Sequence, residues 1–272
     1  VRWAIVDLER QAWESAEKKL REATAIDPSF AVAFRELGLV LLNVNKLEES
    51  RTSLQKSLEL DREDSLSHFY LASLFARLKD WESSRAAFLE TLKIDPENWD
   101  AEQGLCESLL RLKRYEESAQ ECEDALSRLP KEEERRRAPL LITLADAQRG
   151  KGDWSSAIVT LRRAVDAEEA TKVAANHLAW ILATSPIDEW RNGEEAVQLL
   201  EQSTTHPETP SAYLDTLAAA YAETGQWEKA VSTMKRAIDR LREEGSTSSL
   251  GDFENRLASY ERKEPYRDQT PP

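Results

Sequence analysis

Four tryptophans act as a ruler along this chain. Trp13, Trp81, Trp154 and Trp227 each stand three residues before a small residue: Ala16, Ser84, Ala157 and Ala230. Steps of 34 from Trp13 land on Leu47, Trp81 and Tyr115; a step of 39 reaches Trp154, another 39 reaches Gly193, and 34 more reach Trp227. The result is seven copies of a unit near 34 residues, two of them lengthened by five. A unit of this length cannot bury its own apolar face, so copies in register must stack on one another.

Other columns fall into the same register. Four residues after the small column stands a large apolar one, Leu20, Leu54, Phe88, Cys122, Leu161, Leu200 and Met234. Three further on the column is small again: Ala23, Ser57, Thr91, Ala125, Ala164, Ser203 and Ala237. Upstream, a second small column reads Ala4, Gly38, Ala72, Cys106, Ala145, Ala179 and Ala218. Spacings of three and four place such residues on one helical face. The large side chain fills the core and the small ones let two helix axes approach. Pro28, Pro96 and Pro130 stand where a helix has ended, and Gly152-Asp153 and Gly225-Gln226 mark turns between paired helices. Each copy is therefore predicted to be a helix–turn–helix hairpin.

These columns resemble the tetratricopeptide repeat, most closely in Leu214, Leu217, Ala218, Tyr221, Gly225, Trp227, Ala230 and Ala237. The resemblance implies an all-α fold: a right-handed α-α superhelix of seven hairpins plus a C-terminal capping helix. The expected array covers 1–244, with copies at about 1–30, 31–64, 65–98, 99–137, 138–171, 172–210 and 211–244. A linker and capping helix follow at 245–264, with Phe253, Leu257 and Tyr260 as one apolar stripe, and then a flexible tail at 265–272. The first extra five residues, near 133–137, are expected to lengthen a helix through pairs such as Glu132–Arg136 and Glu133–Arg137, with an arginine site as the alternative. The second five fall between the helices of the sixth copy. The segment from Leu178 to Pro186 is similar to a variant repeat of large bacterial multidomain proteins.

The chemistry of the chain points away from catalysis. No nucleophile elbow, phosphate loop, dinucleotide fingerprint or HExxH pair occurs. Cys106 and Cys122 occupy core columns of one copy and read as small hydrophobes, with a disulfide as the alternative; His68, His177 and His206 are scattered. Neither a metal nor a cofactor is expected. The net charge of −14 disfavours phosphate backbones and anionic membranes, so nucleic acid and membrane are not expected partners. A cytoplasmic location is expected, with the periplasm as the alternative.

The resemblance instead implies a scaffold whose first helices line a concave groove for a protein or peptide. On that register the candidate contacts are Arg35, Asn43, Phe69, Arg77, Arg111, Arg149, Asn176 and Trp180. Their arginines form a ladder suited to a partner of acidic character; pairing with Glu107, Asp146 or neighbouring acids is the alternative. Leu39, Asp100 and Gly104 break the two-carboxylate clamp used by chaperone-binding members. Val1 falls inside a repeat, so more chain or a second copy is expected at the N-terminal edge. Two further functions stay open: a regulatory or targeting part of a larger enzyme, and an RNA-binding helical repeat.

Overall fold

The computed structural model describes residues 13–167, 171–201, 204, 206, 208–246 and 248–268. The first helix of the first copy, with Val1 and Ala4, lies outside these residues, as do Ser203 and 269–272. Among the described residues there are fourteen α-helices, two short 3-10 segments and no strand. The helices belong to two units, one ending at Ala125 and the other beginning at Leu126.

In the first unit α1 spans Trp13–Ile26, α2 Ala31–Asn43, α3 Leu47–Leu60, α4 Ser65–Arg77, α5 Trp81–Ile94, α6 Trp99–Arg111 and α7 Tyr115–Arg128, the last turn of α7 passing into the second unit. In the second, α8 spans Arg137–Gly150, α9 Trp154–Asp166, α10 Thr171–Thr184, α11 Gly193–Glu201, α12 Ser211–Glu223, α13 Trp227–Glu243 and α14 Leu250–Glu261. Neighbouring helices pair as hairpins. The first helices of successive hairpins also touch, α2 on α4, α4 on α6, α8 on α10 and α10 on α12. This is the α-α solenoid architecture that the register predicts.

The columns are the core. Leu20, Leu54, Cys122, Leu161, Leu200 and Met234 are fully buried, as are Ala16, Ala157, Ala196 and Ala230 in the small column. Burying one such large side chain is worth about 1.5–3 kcal/mol relative to leaving it exposed. Phe88 is bulkier than the residues it aligns with. Gly104 makes room for it: a Cβ there would sit 2.2 Å from the Phe88 ring.

In three copies of the first unit the small column is serine, and the hydroxyl has a use that size does not reveal. Ser50 donates to the Gly38 carbonyl at 2.7 Å, Ser84 to Ala72 at 3.0 Å and Ser118 to Cys106 at 2.9 Å. Each bond ties the second helix of a hairpin to the backbone of the first. Alanine holds the same position in the second unit, where close packing alone brings the helices together. Cys106 and Cys122 are buried free thiols, and the neighbouring Cys122 thiol, with burial, raises the Cys106 thiol well above its usual value.

The turn inside each hairpin repeats one device. The second residue after the first helix adopts positive φ at Asn45, Lys79, Lys113, Gly152 and Gly225. The next N–H then bonds back to a carbonyl five residues earlier, as from Lys46 to Leu41 at 2.8 Å and from Arg114 to Leu109 at 3.0 Å. This is a Schellman stop, which satisfies carbonyls that the helix end leaves free. Asp80 and Asp153 then cap the second helix by accepting from the N–H of Ser83 and Ser156. Lysine is strained in the left-handed region and glycine is not. Lys113→Gly is therefore expected to stabilise the first unit by about 0.5–1 kcal/mol, read as a higher urea midpoint at unchanged slope; an unchanged or lower midpoint counts against the strain.

Two sequence expectations need correction. The first five extra residues do not lengthen a helix: Lys131–Arg136 is a 3-10 segment and α8 begins only at Arg137. Among its ion pairs, Arg136 reaches Glu133 at 2.7 Å, the three-residue spacing of a tighter coil, and Arg135 reaches the same carboxylate at 3.6 Å. The tail is not free over 265–268 either. The Lys263 residue ends α14 with positive φ, Glu264 bonds back to Ser259, and Tyr266 and Asp268 pack against the second unit.

Candidate functional site

Within the second unit the first helices of three hairpins present one inner face. Asp146 and Arg149 come from α8, Asn176, His177, Trp180 and Ile181 from α10, and Ala212, Asp215 and Thr216 from α12. Arg256 of α14 closes the far side. Together they line an open cavity of ≈ 310 Å³.

Arg256 organises the floor of this cavity. Its guanidinium makes a bidentate pair with Asp215, both bonds at 2.8 Å. It also lies over three rings, Phe253 at 5.0 Å, Tyr266 at 5.3 Å and Trp180 at 5.6 Å. Burial pushes the Asp215 carboxyl up to about 6, against the downward pull of Arg256. A planar cation with a fixed fork is suited to serving a carboxylate at its edge and aromatic faces above and below. On the opposite wall His177 Nδ1 lies 3.3 Å from Asp146, and Arg149 lies 3.8 Å from the same carboxylate. The Asn176 Oδ1 atom is buried with no hydrogen-bond partner.

The C-terminal segment of the chain engages three residues of the lining, Arg149, Trp180 and Arg256. The Asp268 carboxylate, only 6% exposed as a residue, accepts from Arg149 at 3.2 Å and from the Trp180 indole N–H at 3.1 Å. Its backbone N–H donates to the Thr184 carbonyl at 2.8 Å, one of those the end of α10 leaves free. The Tyr266 ring lies 5.8 Å from that of Trp180, and Arg267 reaches Glu223 at 2.6 Å.

Of the eight residues the register selects, three meet here: Arg149, Asn176 and Trp180. The other five belong to the first unit. Arg35 is held by Glu36 at 2.8 Å and Asp64 at 3.0 Å, and Arg77 donates to the Leu42 carbonyl at 2.6 Å, capping the end of α2. Asn43 donates to Leu39 within its own helix. Phe69 packs against Phe88 and Tyr70 at the edge of the core. Arg111 is the most open of these arginine side chains at 56%, paired with Glu107 at 3.1 Å and lying over the Trp81 ring. Arg256, Tyr266 and Asp268 were not selected. They lie beyond the repeats, and no column marks them.

Among the described residues no group of three or more His, Cys, Asp or Glu side chains forms a metal-binding set. No described helix is long and apolar enough to cross a membrane.

Profiles of the tetratricopeptide repeat match residues 35–98, 71–133 and 214–247. Comparison with curated protein sequences finds no match. Among solved structures, the chain is similar to a tetratricopeptide repeat protein from Parabacteroides merdae, with 15% identity, a TM-score of 0.70, and 96% and 97% of the two chains covered. PilF of Pseudomonas aeruginosa aligns at 18% identity and a TM-score of 0.62 over 84% of this chain and 98% of its own. MamA from Desulfovibrio magneticus aligns at 19% identity and 0.56 over 65% and 97%. At these identities the likeness concerns the fold.

Proposed function

The chain belongs to the tetratricopeptide-repeat family, and from that premise we propose that it is a non-catalytic scaffold that holds a protein or peptide partner on the inner face of its first helices. The observation that carries this is the open cavity of the second unit, where Arg149, Asn176, His177 and Trp180 converge beside Asp215–Arg256. Cations, a partnerless amide oxygen and a half-buried indole give a peptide both hydrogen bonds and apolar area. Aromatics and arginines are the residue types that dominate binding hot spots. The charged pairs of the cavity are engaged in holding each other and the rings, and no nucleophile stands among them beside a base. In the first unit, taken by itself, the ladder arginines, Arg111 foremost, offer a separate candidate surface for a partner of acidic character.

The test is where a partner touches. A photo-crosslinking amino acid is placed at Ala212, exposed on the cavity wall, or at Val159, exposed on the second-helix side. Adducts from a cell extract are mapped by mass spectrometry. Adducts at Ala212 that vanish with Arg149→Glu and Trp180→Ala, at unchanged helicity, are the expected result. Adducts at Val159 alone overturn the assignment of the inner face.

A further inference from the structure

Resting on the scaffold reading above, we infer that the inner groove of the second unit is a receptor for an aromatic-x-acid segment, and that Tyr266-Arg267-Asp268 is its resident copy. Tyr266 and Asp268 each have a counterpart in the groove lining, and Arg267 pairs with Glu223 at the end of α12. The carboxylate sits between a guanidinium and an indole N–H, at 3.2 and 3.1 Å. The ring two residues earlier lies beside Trp180 and under Arg256. The residue between them pairs with Glu223 at 2.6 Å. A charged pair plus an indole donor recognises a carboxylate by direction as well as by charge, and the Trp180–Arg256 surface recognises a flat ring. The bond from Asp268 N–H to Thr184 adds a backbone contact that any residue in that place makes.

The occupant is delivered by local structure. Positive φ at Lys263, the bond from Glu264 to Ser259 and Pro265 turn the chain off α14 back toward the groove. Four residues separate Glu261, the end of α14, from Tyr266, so the segment is presented at the high effective concentration of a short tether. A separate segment of the same chemistry binds only to the fraction of molecules whose groove is open, and its apparent affinity falls by that fraction. The Asn176 Oδ1 in the cavity lining has no partner and is an acceptor for a donor that Tyr266–Asp268 do not supply. A longer partner therefore gains a contact that Tyr266–Asp268 lack.

The probe is a fluorescein-labelled hexapeptide of sequence 263–268, titrated by anisotropy against the full chain and against the full chain carrying Tyr266→Ser and Asp268→Ser. The double variant is expected to bind the probe at least about tenfold more tightly than the unaltered chain. Adding Arg149→Ala or Trp180→Leu abolishes the gain, as does replacing the probe's tyrosine by alanine or its aspartate by asparagine. Circular dichroism and the melting midpoint establish that the variants fold. Equal binding to both chains, no binding to the folded double variant, or binding that survives loss of Arg149 and Trp180 each overturns the inference. Should the Ala212 adducts form while the probe fails, the scaffold reading stands and this ligand class alone is wrong.

Discussion

Arg256→Ala is expected to destabilise the second unit by about 3–5 kcal/mol, the usual effect of leaving one member of a buried ion pair alone. Both side chains are close to fully covered, 11% exposed for Arg256 and 8% for Asp215. The variant also removes the guanidinium from three rings at once. The effect carries a pH signature. The folded carboxyl of Asp215 holds its proton up to about 6, above the ordinary 3.8. The folded state thus binds the proton more tightly than the unfolded one, and this group favours folding most at low pH. That contribution is lost as pH rises through about 6. Without Arg256 the carboxyl rises further, so the loss continues to higher pH. The penalty of the variant is therefore larger at pH 8 than at pH 5 in urea denaturation. Asp215→Leu together with Arg256→Met, which removes both charges, is expected to recover most of the stability. A pH-independent penalty, or no recovery in the double variant, shows that the pair is not what holds this floor together.

How far the sequence discloses this molecule depends on whether a contact recurs. The core was legible because Leu54, Phe88, Leu161 and Met234 stand at fixed steps from small residues, and a periodic pattern has one helical solution. The turns were half legible: Gly152 and Gly225 announce a left-handed residue, whereas Lys79 and Lys113 adopt the same φ without any compositional sign. Ser50, Ser84 and Ser118 were read for their size, since a hydroxyl's carbonyl partner 12 residues back is not visible in a column. The cavity was legible on one wall. Register places Arg149, Asn176 and Trp180 on successive first helices, and the structure brings them together. Arg256 lies 41 residues from Asp215, and Asp268 lies 119 from Arg149. Such contacts occur once each, so no period points to them. The extra residues near 133–137 were misread because charged residues at helical spacing favour pairs only if the coil is already helical, and over Lys131–Arg136 the coil tightens instead.

Ending the chain after Gly245 is expected to have a larger effect still. This removes α14, whose Phe253 and Tyr260 are 6% and 0% exposed, with Leu257 packed beside them. Two buried aromatics contribute about 3–6 kcal/mol together, at roughly 1.5–3 kcal/mol for each fully buried side chain. The same cut strips Asp215 of Arg256 and uncovers Ile238 and Leu241 on α13, which are 5% and 4% exposed in the intact chain. Few domains have stability to spare on this scale, since net values lie near 5–15 kcal/mol. A terminal hairpin without a polar outer layer also offers an apolar face to a second molecule. The truncated chain should therefore self-associate in light scattering, bind a hydrophobic dye and lose the cooperative melt of its second unit. The cause can be separated from simple loss of chain. Phe253→Ala in the full chain keeps Arg256 and Asp215 in place and is expected to cost about 3–5 kcal/mol, as a lowered midpoint without self-association. A truncated chain that stays monomeric with an unchanged midpoint would mean that α14 covers nothing the second unit needs.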